Sequence, residues 1–189
     1  MKKKHLTVSN IIFAIFIVLL IIPQTRVALQ VAVNKVRVFV FSPSVLNQED
    51  QAQLPPFTYQ LTKLNGDANA VEVGQGEVTF ISYWATWCPP CIAELPSIVE
   101  LHEDYGDKVN FLLLTNENPE KVRAFLEKKA YDLPVYIPKM EAPDKLISRS
   151  IPTNYIIDKK GKILIKETGA ADWNSTNVRA VLNAAKESK

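Results

Sequence analysis

Three hydrophobic patterns follow one another along the chain. The first is continuous. Between Lys4 and Arg26 lie 21 residues with no Lys, Arg, Asp or Glu, centred on the unbroken apolar run IIFAIFIVLLII, Ile11 to Ile22. At about 1.5 Å per helical residue such a stretch reaches about 30 Å, the thickness of a bilayer's hydrocarbon core. Residues 5–25 therefore read as a transmembrane anchor and residues 1–4 as its cytoplasmic tail. A cleaved signal peptide shares this lysine-then-apolar layout, but the following PQTRVALQ lacks a small-x-small cleavage site. Lys2, Lys3 and Lys4 before the span nearly balance Arg26, Lys35 and Arg37 behind it. The compact leading cluster places the N-terminus in the cytoplasm and the rest of the chain on the periplasmic or outer side.

The second pattern covers residues 26–56, a juxtamembrane segment and linker. In RVALQVAVNKVRVFVF, Arg26 to Phe41, the residues Arg26, Gln30, Asn34 and Arg37 recur at helical spacing as one polar stripe. Three readings stay open: a helix along the membrane surface, a helical extension of the anchor or, with so much valine, a strand. SPSVLNQEDQAQLPP then has low hydrophobicity and prolines at both ends, as a linker would.

From Phe57 to Lys189 the pattern is that of a globular domain. FTYQLTKLNGDANAVEV alternates around Asn65-Gly66, a hairpin signal. EVTFISYWA and VNFLLLT are short, nearly continuous apolar runs suited to buried strands. Ile92, Leu95, Val99 and His102 follow helical spacing. NPEKVRAFLEKKA opens with Asn118 as N-cap and Pro119 at the first helical position. Short strands near PVYI and TNYIID, a turn at DKKGK, a strand ILIKET and a helix over about 175–186 complete the domain. Strands alternating with helices, closed by a hairpin and a helix, predict an α/β fold with a central mixed sheet covered on both sides.

Charge and composition exclude more than they identify. A net charge of +2 with interleaved signs leaves no basic face for nucleic acid. P-loop, H-E-x-x-H and EF-hand spacings are missing, and the Gly74-Gln75-Gly76 turn is no phosphate loop.

Both cysteines of the chain lie in YWATWCPPCIAELPS, Tyr83 to Ser97. With a strand before them and a helix after, Cys88 falls at the turn and Cys91 in the first helical turn. Unpaired N–H groups and the positive end of the helix dipole favour a thiolate there, which makes Cys88 the candidate nucleophile. Two intervening residues allow a Cys88–Cys91 disulfide, and Cys91 is then placed to resolve a mixed disulfide on Cys88. Pro89 and Pro90 stiffen the turn and remove two donors from it. Zinc typically needs four ligands, and besides the cysteines the chain offers only His5 and His102, with His5 expected at or across the membrane; haem attachment needs a His where Ile92 stands. A structural disulfide closing so small a ring would add little stability. A chain with no other cysteine suits an oxidising compartment.

The segment VTFISYWATWCPPCIAELPSI resembles the active-site strand and helix of the thioredoxin-like superfamily, and specifically the TlpA/ResA-like membrane-anchored thiol-disulfide oxidoreductases. The W-C-x-P-C core with Glu three residues after the second cysteine and Pro two further on carries the resemblance, which extends over residues 57–189. It implies a thioredoxin-like fold preceded by the anchor, and catalysis by the redox-active Cys88–Cys91 disulfide with no other cofactor and no metal. Where thioredoxins keep a buried aspartate this chain has Ser82. The group's glutamate matches Glu94, which the resemblance makes the proton-exchanging partner of Cys91; the alternative is a solvated helix carboxylate. Pro152 matches the family's cis-proline, implying that Ile151 pairs with an extended substrate. Pro96 matches the proline that kinks the active-site helix. Trp87 is expected to border the substrate groove, Trp84 to be a core residue, Trp173 to pack or, as the alternative, to line that groove too, and His102 to be a helix-surface or core residue.

The implied activity is thiol–disulfide exchange with protein substrates, in the reducing direction, in cytochrome c maturation, with electrons from a CcdA/DsbD-type membrane donor. Two other classes use the same residues differently: a copper-binding or metal-delivery module, and a redox-inert binding domain.

Overall fold

The structure, a computed structural model, describes residues 8–187. The expected cytoplasmic tail, residues 1–4, and the start of the expected anchor lie outside the described residues.

Helix α1 (Val8–Ile21) is followed after one residue by α2 (Pro23–Val40). Among the described residues no single helix is long and apolar enough to cross a membrane; α1 and α2 pass that test only as a pair bent by 95°. At 14 residues, α1 is about 21 Å long. The unbroken span expected over 5–25 is thus interrupted, because Pro23 lacks an N–H and forces Ile22 out of helical geometry to ψ 118°.

Of the three readings for residues 26–41, the strand is not observed: the segment is helical, and the helix packs against α3 (Pro89–Tyr105) of the domain. Its polar stripe is split. Val27, Val31, Asn34 and Val38 are half-buried on the face turned to the domain, while Arg26, Gln30 and Arg37 stay exposed. The segment read as a linker is built into the domain. Leu46 donates its N–H to Leu164 O at 2.9 Å, Leu54 to Gly161 O at 2.8 Å, and Ala52 O accepts from Ile163 at 2.9 Å. Its low average hydrophobicity concealed one wholly buried anchor, Leu54.

The strands are β1 (Phe57–Lys63), β2 (Ala68–Val73), β3 (Thr79–Tyr83), β4 (Asn110–Leu114), β5 (Val135–Pro138), β6 (Thr153–Ile157) and β7 (Ile163–Thr168). They form one sheet in the order β2-β1-β5-β4-β3-β6-β7. The neighbours β3, β4 and β5 run parallel, and the remaining pairs are antiparallel. The apolar runs of β3, β4 and β6 lie inside the sheet and are buried on both faces, as the parallel strands β3 and β4 must be.

Helices α3 (Pro89–Tyr105), α4 (Pro119–Lys129) and α5 (Thr176–Glu187) contribute to one core, with Phe80, Phe111, Leu113, Ile156 and Ile165 from the sheet. The second core, on Ile81, Leu112, Tyr155 and Ile157, is closed by Leu46, Leu54 and Leu146 from irregular segments and a single 3-10 turn. Both faces are covered, but the three helices share one. This mixed sheet with flanking helices is the thioredoxin-like α/β arrangement. It puts the start of α3 at the end of central strand β3, with β6 alongside.

Candidate active site

Strand β3 aims the chain at the site, and the loop after it is fastened before the first cysteine. Trp84 N–H donates to Leu114 O at 3.1 Å, which carries the β3–β4 ladder one residue further. The Thr86 N–H and hydroxyl donate to Glu117 at 2.5 and 2.9 Å, and Lys121 Nζ donates to the same carboxylate at 2.6 Å. Burial alone would raise the Glu117 carboxyl, but Lys121 and the two Thr86 donors outweigh it and hold the group below the ordinary carboxylate range.

Cys88 is the N-cap of α3. Pro89 and Pro90 fill the first two helical positions and have no N–H, so the first donor of the helix is Cys91's own, which reaches Cys88 Sγ at 3.3 Å. The two cysteines are disulfide-bonded with Cα atoms 5.3 Å apart. Cys88 keeps 3% of its surface exposed and Cys91 none, an asymmetry that suits an attacking and a resolving sulfur.

Glu94, one turn after Cys91, is buried to 1% exposure. It is not a solvated carboxylate. Oε1 accepts from Asn154 Nδ2 at 2.9 Å; Oε2 accepts from Trp173 Nε1 at 3.2 Å and from Ala171 N at 3.3 Å. Burial pushes its pKa up to about 8, against the pull of the Asn154, Trp173 and Ala171 donors, and the Glu167 charge adds to the rise. Ser97 Oγ ties the same loop to the helix, donating to Glu94 O at 2.8 Å and accepting from Trp173 N at 3.1 Å.

The Ile151–Pro152 bond is cis, and Pro152 is buried. Trp87, 62% exposed, and Ile151 come together on a groove of about 350 Å³ that also touches Tyr83, Trp84, Leu114 and Thr115. Pro96 lies inside α3. Ser82 is buried in β3, directly opposite Asn154 of β6. Trp84 packs on Phe125, and His102 stands edge-on to Phe111.

Three participants escaped sequence reasoning. Trp173 was expected to pack or to line the groove, yet its indole N–H is one of Glu94's partners. Asn154 left a signal that went unread: it is the one amide inside the apolar strand TNYII, and a buried amide needs a partner, though its identity is not written locally. Glu117 pairs locally with Lys121 at i+4, but nothing local marks its link to the active-site loop, since Thr86 is 31 residues away.

The fold, with a dithiol pair at the head of α3 and the cis-proline strand beside it, defines a thioredoxin-like thiol-disulfide oxidoreductase. The Redoxin family model matches residues 48–182, and the chain belongs to that family. It is 31% identical over 127 residues to the thioredoxin-like protein YneN of Bacillus subtilis, covering 65% of this chain and 74% of YneN. It is 29% identical over 114 residues to the thiol-disulfide oxidoreductase ResA of Halalkalibacterium halodurans, covering 59% of this chain and 65% of ResA, slightly under two-thirds of that protein. Among solved structures, a secreted thiol-disulfide isomerase from Corynebacterium glutamicum superposes with a TM-score of 0.55 at 18% identity, covering 75% of this chain and 87% of that one. At that identity it speaks for the fold alone.

Proposed function

We propose that this chain is a membrane-tethered, extracytoplasmic dithiol reductase of protein disulfides, acting through Cys88 and Cys91 with Glu94 as proton-exchanging partner. The Cys88 thiolate attacks a substrate disulfide, forming the mixed disulfide, and one substrate sulfur leaves as a thiolate that takes its proton from solvent. Cys91 then transfers its proton to Glu94 and attacks Cys88 Sγ, which releases the second substrate thiol and closes the Cys88–Cys91 disulfide. Two electrons pass to the substrate. A membrane thiol donor of the CcdA/DsbD type returns them, and no cofactor beyond the disulfide takes part.

The observation that carries this reading is Glu94: a carboxyl buried one helical turn from the resolving cysteine, with its pKa raised to about 8, is poised to take and return a proton near neutral pH. Trp87, Ile151 and Pro152 hold the substrate segment, while Pro89, Pro90 and Pro96 shape the turn and helix around the sulfurs. The bent pair of apolar N-terminal helices supports the tether. Apocytochrome c, whose haem-binding cysteines must be reduced before attachment, is the proposed substrate.

The test is to express the full chain as Cys91→Ala in its host. A disulfide-linked adduct on Cys88, lost in Cys88→Ala, is the expected result, and the attached protein identifies the substrate. Absence of any thiol-dependent adduct, together with stoichiometric copper on the reduced wild-type protein, would replace the reductase by a metal-delivery module.

A further inference from the structure

Two of the three donors to Glu94 come from one loop, residues 169–173, so whatever holds that loop also sets the environment of the carboxyl. Ala171 N–H and Trp173 Nε1–H both point at Glu94 Oε2. The residue between them, Asp172, donates its N–H in the opposite sense, to the carbonyl of Phe41 at the end of α2, at 2.9 Å. One helical turn earlier, Arg37 reaches Thr168 O at 3.5 Å and Glu167 at 4.0 Å. Its guanidinium lies on Gly169: a Cβ on that glycine would meet Arg37 Nη1 at 2.5 Å, and φ there is +94°, a conformation only glycine adopts freely. Beyond the helix, Asn177 Nδ2 donates to Pro43 O at 2.6 Å. Along its length α2 packs beside α3, whose residues Ala93 and Ser97, either side of Glu94, are buried.

We infer that α2 is a positioning element of the active site: through Phe41 and Arg37 it fastens the loop that hydrogen-bonds Glu94. The helix connecting the domain to its tether is then part of the redox centre's wall. This rests on the reading of Glu94 as the proton-exchanging group, and it goes further by assigning a role to a segment outside the domain of residues 57–189.

The direction of the effect follows from the balance at Glu94. Its titratable and charged surroundings are Cys91 on its own helix, Glu167 from β7, Asp172 in the loop and Arg37 from α2; β6 offers the neutral Asn154. Exclusion of water is the largest influence on the carboxyl. Releasing α2 lets water reach it, and its titration moves down toward the ordinary carboxylate range.

The experiment uses the full chain in detergent, with the reduced protein titrated by infrared spectroscopy. The carboxyl band that disappears in Glu94→Gln reports Glu94 directly. Val31→Asp with Val38→Asp places charges on the half-buried face of α2, and Val33→Asp places one on its exposed face. The paired variant is expected to lower the Glu94 titration by about one pH unit or more and to expose the Asp172 amide to hydrogen exchange, with Val33→Asp matching wild type. Arg37→Ala, which leaves the helix face intact, shifts the titration in the same direction by less. An unchanged titration with the Asp172 amide exposed overturns the inference. So does an Asp172 amide that stays protected with both aspartates present, since the clamp would then not depend on α2. If the titration shifts and the Asp172 amide is exposed while the pH profile of thiol–disulfide exchange with a protein substrate does not follow the shift, the clamp stands and the proton role of Glu94 fails.

Discussion

Asn154 Nδ2 lies 2.9 Å from Glu94 Oε1, joining central strand β6 to the active-site helix between residues 60 positions apart. The amide is a donor to the ionised carboxylate and so works against the burial that raises Glu94. Asn154→Leu, similar in volume and apolar, removes the donor and keeps the site dry. A hydrogen bond to a charged group contributes about 1.5–3 kcal/mol, so Glu94 in this variant should titrate about one to two pH units higher than in wild type. The infrared carboxyl band measures it. The sign is opposite to that expected for releasing α2, which separates loss of a donor from entry of water.

Glu94 also makes folding stability pH-dependent. Its folded-state pKa, about 8, stands above the ordinary 4.5, so the folded protein holds a proton that the unfolded chain releases. The stabilising contribution is fully present below about pH 4.5 and is lost as the pH rises to about 8. At 1.36 kcal/mol per pH unit the change across that window is about 5 kcal/mol. Urea unfolding of the reduced protein at a series of pH values should show this decline in wild type, and Glu94→Gln should remove it. A decline of equal size in the variant would locate the effect elsewhere.

The dithiol, its helix and the strand leading into it were legible because each is written locally: two cysteines at the head of a helix and a buried apolar run before them. The cis bond at Pro152 was legible only through the family resemblance, and so was Glu94. Its partners were not, because Asn154, Ala171 and Trp173 reach it across 60 or more positions, and no periodicity encodes a contact of that range. The ends of the domain were obscured for another reason. Residues 46–54 pair along β7 through backbone N–H and C=O groups, which leave no hydrophobic signature. The helix break at Pro23 was visible as a proline, yet the apolar run on its N-terminal side outweighed it.

Trp87 is a large apolar side chain left 62% exposed beside the nucleophile. A residue in that position holds the fold together very little, so Trp87→Ala should change unfolding free energy by no more than about 0.5 kcal/mol. Exchange with a protein disulfide should nevertheless weaken, chiefly as a higher KM, because the wall of the groove shared with Ile151 is removed. Exchange with a small disulfide such as oxidised dithiothreitol, which does not extend along the groove, should stay near the wild-type rate. Equal losses with both substrates would assign Trp87 to the sulfur chemistry instead of substrate contact.

Glu117 fastens the loop that delivers Cys88, and its contribution has the opposite pH sign to that of Glu94. Thr86 and Lys121 hold its carboxyl below the ordinary range, so the folded state releases a proton that the unfolded chain keeps longer. The stability it supplies is present above the ordinary carboxylate pKa and is lost as the pH falls through the lowered folded-state value. Glu117→Gln keeps one oxygen for Thr86 or Lys121 but turns an amide donor toward the other, leaving donor facing donor. At about pH 7 the variant should be about 1–3 kcal/mol less stable than wild type. In acid, once the pH has fallen below the lowered folded-state value and the wild-type carboxyl is itself protonated, the two should converge. Unfolding curves at the two pH values decide it: a difference that persists undiminished in acid would mean that shape, and not charge, is what Glu117 supplies to the loop.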